Sequence, residues 1–273
     1  MLELPDIMLC AVSSVAIEQT VAALERSCRN IVFGDVALLS DIEPQLAPRS
    51  AIRWQPIAPL RSKEAYSHFM IKELNRHATR PFVLVVQWDG YVLDHRRWNP
   101  AFLDFDYIGA PWPQFDDGMT VGNGGFSLRS RRLLDIVASD GYPPLHPEDT
   151  AICRTWRSQL EQRHGICFAD PALANAFSSE RSGNPRESFG FHGLFNLPDT
   201  LPVEELKEMV AAMPASTLHG IDGADLILRL ALRGHRAYAW KLLARRLRSA
   251  PMTWKQARLF SALARNSLLP KEA

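Results

Sequence analysis

Short unbroken apolar runs and helically spaced ones alternate along the N-terminal third of the chain. Residues 7–12 (IMLCAV) are apolar throughout and end in Ser13-Ser14, which predicts a buried strand running into a helix start. Over 16–28, Ile17, Val21, Leu24 and Cys28 recur at helical spacing with charges between them, so a helix follows. Residues 36–39 predict a second strand closing on Ser40-Asp41, and 52–57 a weaker third one interrupted by Pro56. Residues 62–77 read as a helix with Tyr66, Phe69, Met70 and Leu74 on its apolar face. The most strand-like run is 82–86 (FVLVV), which ends in Gln87-Trp88-Asp89-Gly90. A run that is apolar at every position is buried on both faces, as a central parallel strand is.

This alternation predicts an α/β fold, an open wound sheet flanked by helices, in which ligands bind beyond the carboxyl ends of the strands. Ser13, Asp41 and Asp89 fall at those ends. Beyond residue 198 the pattern turns helical, over 201–213, 224–249 and 254–264, rich in Leu, Ala and Arg. The expected organisation is a catalytic domain over 1–198 and a basic helical extension over 199–273.

Composition narrows the picture. A chain of 273 residues with 47% hydrophobic and 22% charged residues has the length and balance for a buried core without staples. A net charge of +1 gives no argument for nucleic acid as a partner. The four cysteines, Cys10, Cys28, Cys153 and Cys167, form no Cys-x-x-Cys pair, which speaks against zinc and for reduced thiols. Glu3 and Asp6 give the N-terminus the wrong polarity for a secretory signal, and no apolar run is long enough to span a bilayer. The expected location is therefore cytoplasmic. In the extension Arg229, Arg233, Arg236, Lys241, Arg245, Arg246, Arg248, Lys255, Arg258 and Arg265 recur among apolar residues, with Trp240 and Trp254. That pattern fits a peripheral contact with an anionic membrane surface, and equally a packed bundle with a solvated basic face.

Four segments bring together residues with chemistry. Asp89 stands at the end of the central strand, where a carboxylate suits Mg²⁺ or Mn²⁺ bound to a diphosphate; Asp-Gly is also an ordinary turn pair. Val121-Gly122-Asn123-Gly124-Gly125-Phe126 is a glycine cluster in which Gly124 and Gly125 allow close approach of backbone to a sugar, though a plain turn uses the same residues. It is neither a Walker loop nor G-x-G-x-x-G. Glu148-Asp149 precedes a helix expected over 151–161, whose start favours acids, and either carboxylate suits a general base. Ser188-Phe189-Gly190-Phe191-His192-Gly193 presents one imidazole among aromatics. Arg129 and Arg131 are within reach of phosphate but read more simply as exposed residues at a helix start.

In this order the segments resemble the GT-A glycosyltransferases. The motifs WDG, DYIGAPW, GNGGFSLRS, PEDT and FGFHG, between residues 82 and 195, are similar to those of a largely uncharacterised glycosyltransferase-like family, a domain of unknown function. The resemblance implies a GT-A-like open mixed sheet and inverting transfer of a sugar from a nucleotide-sugar donor, a UDP-sugar foremost, to a hydroxyl of a cell-surface glycan or glycolipid. It implies a metal site of Asp89 and His192, donor contacts at Gly124 and Gly125, and a base within Glu148-Asp149, the second acid favoured. Ser13 and Asp41 join as contacts to the nucleoside. Gln87 occupies the place of the first Asp of Asp-x-Asp, which weakens the expected metal site and keeps open a binding module without catalysis. A nucleotidyltransferase of related fold is the other alternative, although the first strand lacks the basic glycine-rich loop such an enzyme uses.

Overall fold

In a computed structural model, which describes residues 1–249 and 253–268, the first strand β1 (Leu2–Val12) starts ahead of its apolar run. Leu2, Glu3 and Leu4 already pair with Ile31, Val32 and Phe33 of β2 (Ile31–Ser40), and the register shifts between Leu4 and Met8, around Pro5-Asp6. Helix α1 (Ile17–Ser27) is the crossover between these two parallel strands, burying Val21 and Leu24. β3 (Arg53–Pro56) is the sheet edge, where Pro56 is tolerated. Helix α2 (Lys63–Lys72), capped by the Ser62 hydroxyl accepting from Ala65 N–H, then leads towards β4 (Phe82–Val86).

Three short strands follow, β5 (Gly90–Val92), β6 (Tyr107–Ile108) and β7 (Phe126–Ser130). After helices α3 (Arg131–Ala138), α4 (Arg157–His164) and α5 (Pro171–Phe177) come β8 (Ser178–Ser179) and β9 (Gly190–His192). The main sheet has the order β3-β2-β1-β4-β7-β6, and a smaller one the order β5-β9-β8. β1, β2, β3 and β4 are parallel, whereas β7 runs antiparallel to both β4 and β6. The fold is therefore a mixed α/β sheet flanked by helices.

β1 and β4 are buried on both faces, as their continuous apolarity requires. Leu9 and Ala11 with Leu84 and Val86 join one core that includes Leu24, Phe126, Phe177 and Phe189. Met8, Cys10 and Val12 with Val83 and Val85 join another, on Phe69, Met70 and Leu134. Winding from β1 to β3 goes one way and β4 lies on the other side of β1, so the sheet reverses between β1 and β4. Crevices for ligands open at the carboxyl ends of such a pair.

The chain divides into two compact units, Met1–His192 and Gly193–Ala273, six residues ahead of the boundary expected at 198/199. The short turns Leu194–Asn196 and Leu197–Thr200 pack on helix α7 (Ile221–Leu232), which places them with the second unit. That unit also holds α6 (Val203–Ala212), α8 (Arg236–Ser249) and α9 (Trp254–Leu268). The helix expected over 224–249 is two helices, because Gly234 at φ 85° ends α7.

Several of its basic residues are engaged inside the unit. Arg229 and Arg233 both pair with Asp199, whose side chain is buried. Arg245 donates to the carbonyls of Val210 and Met213, and Arg246 to those of Leu218 and Gly220, closing helix ends and turns. Lys241, Arg248, Arg258 and Arg265 stay exposed, as does Trp254, while the side chain of Lys255 and residues 250–252 and 269–273 lie outside the described residues. Among the described residues no helix is long and apolar enough to cross a membrane.

Candidate functional site

Ser13 directly follows β1, and its hydroxyl turns back on the chain, donating to Val15 O and accepting from Val15 N–H at 3.2 Å. Asp41 directly follows β2; its Oδ1 is buried and takes no hydrogen bond. Both stand at the carboxyl edge of the parallel strands, as does the Gln87-Trp88-Asp89 turn after β4, closed by Gly90 N–H donating to Gln87 O at 3.0 Å.

The small sheet then makes the first long-range match. β5 pairs antiparallel with β9 so that Gly90 lies opposite His192, which sets Asp89 beside His192. β8 pairs parallel with β9, Ser179 opposite Phe191, which brings Glu180 to the same edge. His192 Nε2 is 3.4 Å from Asp89 Oδ1 and 3.2 Å from Gln87 Oε1, while Nδ1 is 3.2 Å from Glu180 Oε1. Burial alone would lower the His192 pKa, but Asp89 and Glu180, one at each ring nitrogen, hold it well above the usual imidazole range. Gln87 donates its amide hydrogen to the Tyr66 hydroxyl at 3.0 Å, so its oxygen is the end turned to the imidazole.

The glycine loop arrives by the second match. β7 opposes β4 with Phe126 across from Val86, so the residues just before β7 lie at the carboxyl end of β4. Asn123, at φ 56°, turns the loop, and its Oδ1 accepts from Gly125 N–H at 3.2 Å. Gly124 N–H donates to Asp149 Oδ2 at 3.1 Å. A side chain at Gly125 would collide with the His192 ring, and one at Gly124 with the Glu148 carboxylate. Close approach is thus needed first by the protein's own side chains.

Glu148 and Asp149 do not share an environment. Glu148 is buried and its Oε1 accepts from Arg129 Nη2 at 3.1 Å, whereas Asp149 is half-buried, with Oδ1 accepting from Thr150 N–H at 2.7 Å. Burial pushes the Glu148 carboxyl up, and Arg129 offsets only part of that rise. The helix expected over 151–161 instead opens with one turn at Glu148–Thr150, widens through Ala151–Thr155, where Trp156 N–H reaches Ala151 O at 2.9 Å, and resumes in α4.

Arg129 is corrected most sharply. It belongs to strand β7 and is fully buried, its Nε donating to Ser127 Oγ at 3.0 Å and its guanidinium 5.3 Å from the Tyr107 ring. Desolvation works against its charge, yet Tyr107 and Glu148 outweigh it. Below the loop, Tyr107 donates its hydroxyl to Asn123 O at 3.2 Å. Arg131, at the start of α3, is half-buried, paired with Asp135 and donating to Ala78 O at 2.5 Å.

Among the described residues no three His, Cys, Asp and Glu side chains are grouped to hold a metal by themselves. Asp89 and His192 supply two donors, and Gln87 Oε1 adds a weaker third on the same side of the ring. Neighbouring donors around a small divalent cation stand about 3 Å apart when each bond is about 2.1 Å, so this spacing fits Mg²⁺ or Mn²⁺, ions that keep waters and phosphate oxygens as their other ligands. Glu180 is the member of the site that the sequence did not single out; Asn123 was seen only as part of the glycine cluster, Gln87 only as a weak substitute for an acid, and Arg129 only as an exposed residue.

A family model described as "Protein of unknown function (DUF5672)" matches residues 50–192. The match contains Asp89, the glycine loop, Glu148-Asp149 and His192, and leaves out Ser13 and Asp41. No curated protein matches the chain. Among solved structures, the chain is similar to a glycosyltransferase involved in the glycosylation of the major capsid of PBCV-1, with TM-score 0.44, 12% identity, and coverage of 76% of this chain and 99% of that one. An active-site mutant of LgtC gives TM-score 0.43 at 14% identity, covering 77% and 97%. The mannosyltransferase PcManGT from Pyrobaculum calidifontis, in complex with GDP-Man and Mn²⁺, gives 0.41 at 14% identity, covering 96% and 87%.

Proposed function

The chain belongs to the family described as Protein of unknown function (DUF5672), and from that premise we propose that it is a glycosyltransferase, moving a sugar from a nucleotide-sugar donor, a UDP-sugar foremost, to a hydroxyl of a glycan or glycolipid by a single inverting displacement. One observation carries the reading. Two strand registers, β5 on β9 and β7 on β4, deliver Asp89, His192, the glycine loop and, through its bond to Gly124, Asp149 to the carboxyl end of β4.

Each group then has a distinct task. Asp89 and His192 would hold a Mn²⁺ or Mg²⁺ ion, which when bound offsets the charge on the donor's diphosphate. Asp41 has a free buried oxygen for a donor hydrogen of the nucleoside, and Ser13 borders the same edge. Asp149 is held by Gly124 N–H and Thr150 N–H with one oxygen engaged by each, which leaves lone pairs for the acceptor hydroxyl. The acceptor oxygen bonds to the anomeric carbon as the bond from that carbon to the diphosphate oxygen breaks. The electron pair leaves with the nucleoside diphosphate, and the hydroxyl proton passes to Asp149. Glu148 takes no proton here. It holds Arg129, and Arg129 Nη2 reaches Gly124 O at 3.4 Å, so the pair fixes the loop that fixes Asp149.

Release of nucleoside diphosphate from UDP-, GDP- and dTDP-sugars, and of CMP from CMP-sugars, measured with Mn²⁺ over a panel of glycan acceptors, tests the reading. Release from one donor class, abolished by chelator, is expected; no release from any donor with any acceptor contradicts it. The exposed Lys241, Arg248, Arg258 and Arg265 with Trp254 extend the proposal to an anionic membrane surface. Sedimentation with anionic but not neutral vesicles, lost in a chain ending near residue 218, is the matching result.

A further inference from the structure

Glu180 lies outside every motif in the sequence, between Ser179 and the polar stretch that leads to Phe189. The parallel pairing of β8 with β9 nevertheless sets it against His192, its side chain 15% exposed beside an imidazole 16% exposed. We propose that Glu180 is the positioning residue of the cation site: its carboxylate accepts the Nδ1–H of His192, which fixes the ring with Nε2 towards Asp89 Oδ1 and Gln87 Oε1 as the nitrogen that would yield its proton to a cation. The inference rests on the reading of Asp89 and His192 as cation ligands.

The ring has two nitrogens and two distinct sides. At Nε2 stand two oxygens, Asp89 Oδ1 at 3.4 Å and Gln87 Oε1 at 3.2 Å, the second held there because Tyr66 takes the Gln87 amide hydrogen. At Nδ1 two groups of opposite character compete. Glu180 Oε1 at 3.2 Å can only accept, whereas Asn123 Nδ2 at 3.4 Å can only donate, its amide oxygen being tied to Gly125 N–H. The carboxylate is nearer and charged, and charge-assisted hydrogen bonds are about twice as strong as neutral ones, so Nδ1 keeps its proton when a cation takes the place of the one on Nε2. A carboxylate on the far nitrogen of a ligating histidine fixes the tautomer, holds the ring in place and raises the basicity of the ligating nitrogen. Had Asn123 prevailed, the proton would sit on Nε2 and block the donor position. Gly125 belongs to the same device, since any side chain there would push the ring out of line.

The test uses the full chain and Mn²⁺ alone as the probe, with free Mn²⁺ read by its paramagnetic resonance. The parent binds, and Asp89→Ala and His192→Ala lose binding. Glu180→Leu, similar in size but with no acceptor, binds about 10–100-fold more weakly, and Glu180→Gln, which keeps an acceptor oxygen, falls between. Nitrogen-15 NMR of His192 in the parent with Mg²⁺ shows Nδ1 protonated and Nε2 not, a pattern lost in Glu180→Leu. If Glu180→Leu does not fold, Glu180→Gln and the parent's ring spectrum decide. Mn²⁺ binding in Glu180→Leu equal to the parent's, while Asp89→Ala has lost it, overturns the inference, as does a bare Nδ1. Mn²⁺ binding that is absent from the parent or indifferent to both Asp89→Ala and His192→Ala overturns the cation reading itself, and this inference with it.

Discussion

Arg129 and Glu148 form an ion pair inside the first unit, Nη2 to Oε1 at 3.1 Å, with the guanidinium fully buried and the carboxylate 7% exposed. Breaking such a pair from one side leaves a buried charge uncompensated and costs about 3–5 kcal/mol, whereas replacing both partners by apolar residues is near neutral. Glu148→Ala is therefore expected to lose about 3–5 kcal/mol in urea unfolding, and Arg129→Met with Glu148→Leu to regain most of it. A loss below about 1 kcal/mol in Glu148→Ala would mean that the guanidinium is compensated by something other than Glu148.

Gly125 faces the His192 ring so closely that a Cβ cannot be added without moving the imidazole. Gly125→Ala should fold and lose Mn²⁺ binding at least tenfold, an effect on the order of that for losing a supporting contact of a metal ligand. Gly141→Ala, whose nearest neighbour would be Ser139 Oγ at 4.0 Å, is the control and should bind as the parent does. Equal binding by all three proteins would show that His192 is not a ligand.

The thiols supply a pH dependence. Burial pushes Cys10 up to about 12 and Cys28 up to about 11, and Cys153 is also raised by burial, while Cys167 is exposed. A thiol whose folded pKa is raised leaves stability intact below its unfolded value, about 8.5, and removes it as pH climbs from there through the folded value. The urea midpoint should thus fall from about pH 9 upward, less steeply in Cys10→Val. At pH about 8, iodoacetamide should label Cys167 and spare Cys10 and Cys153. Equal labelling of all four would contradict the burial of Cys10 and Cys153.

Much of this frame was legible in the residues, and the parts that were not have physical reasons. Continuous apolarity over Phe82–Val86 reports burial on two faces directly, so the central strand and the acid at its end could be read without a structure. Arg129 could not, because its burial depends on a carboxylate nineteen positions later, and local periodicity says nothing about a distant partner. The glycines were read as a wall for a ligand, yet they first make room for His192 and Glu148, and only tertiary contacts reveal that. Glu180 is placed by a two-residue strand, too short to leave any pattern. In the second unit the run of cations read as one face, but Asp199, thirty positions before Arg229, draws in Arg229 and Arg233.

Asp149 differs from Glu148 in being half-buried and free of any cation partner among the described residues, and the proposed mechanism gives it the proton for that reason. Asp149→Asn keeps the hydrogen-bonding shape and removes the base. It should bind donor as the parent does and transfer about 10²–10⁴-fold more slowly, with the loss in kcat. A parental rate would return Asp149 to the role of a residue that anchors Gly124.

The central claim, a nucleotide-sugar held through a cation at the carboxyl edge of β4, is tested most directly by calorimetric titration of the parent and of Asp89→Ala. The titrants are UDP-, GDP-, CMP- and dTDP-sugars, each with Mn²⁺ and with chelator. One donor class should bind the parent, lose at least tenfold in affinity when the cation is removed, and lose as much in Asp89→Ala even with Mn²⁺ present. Failure of every donor to bind, or binding that is the same with chelator and in Asp89→Ala, would contradict it.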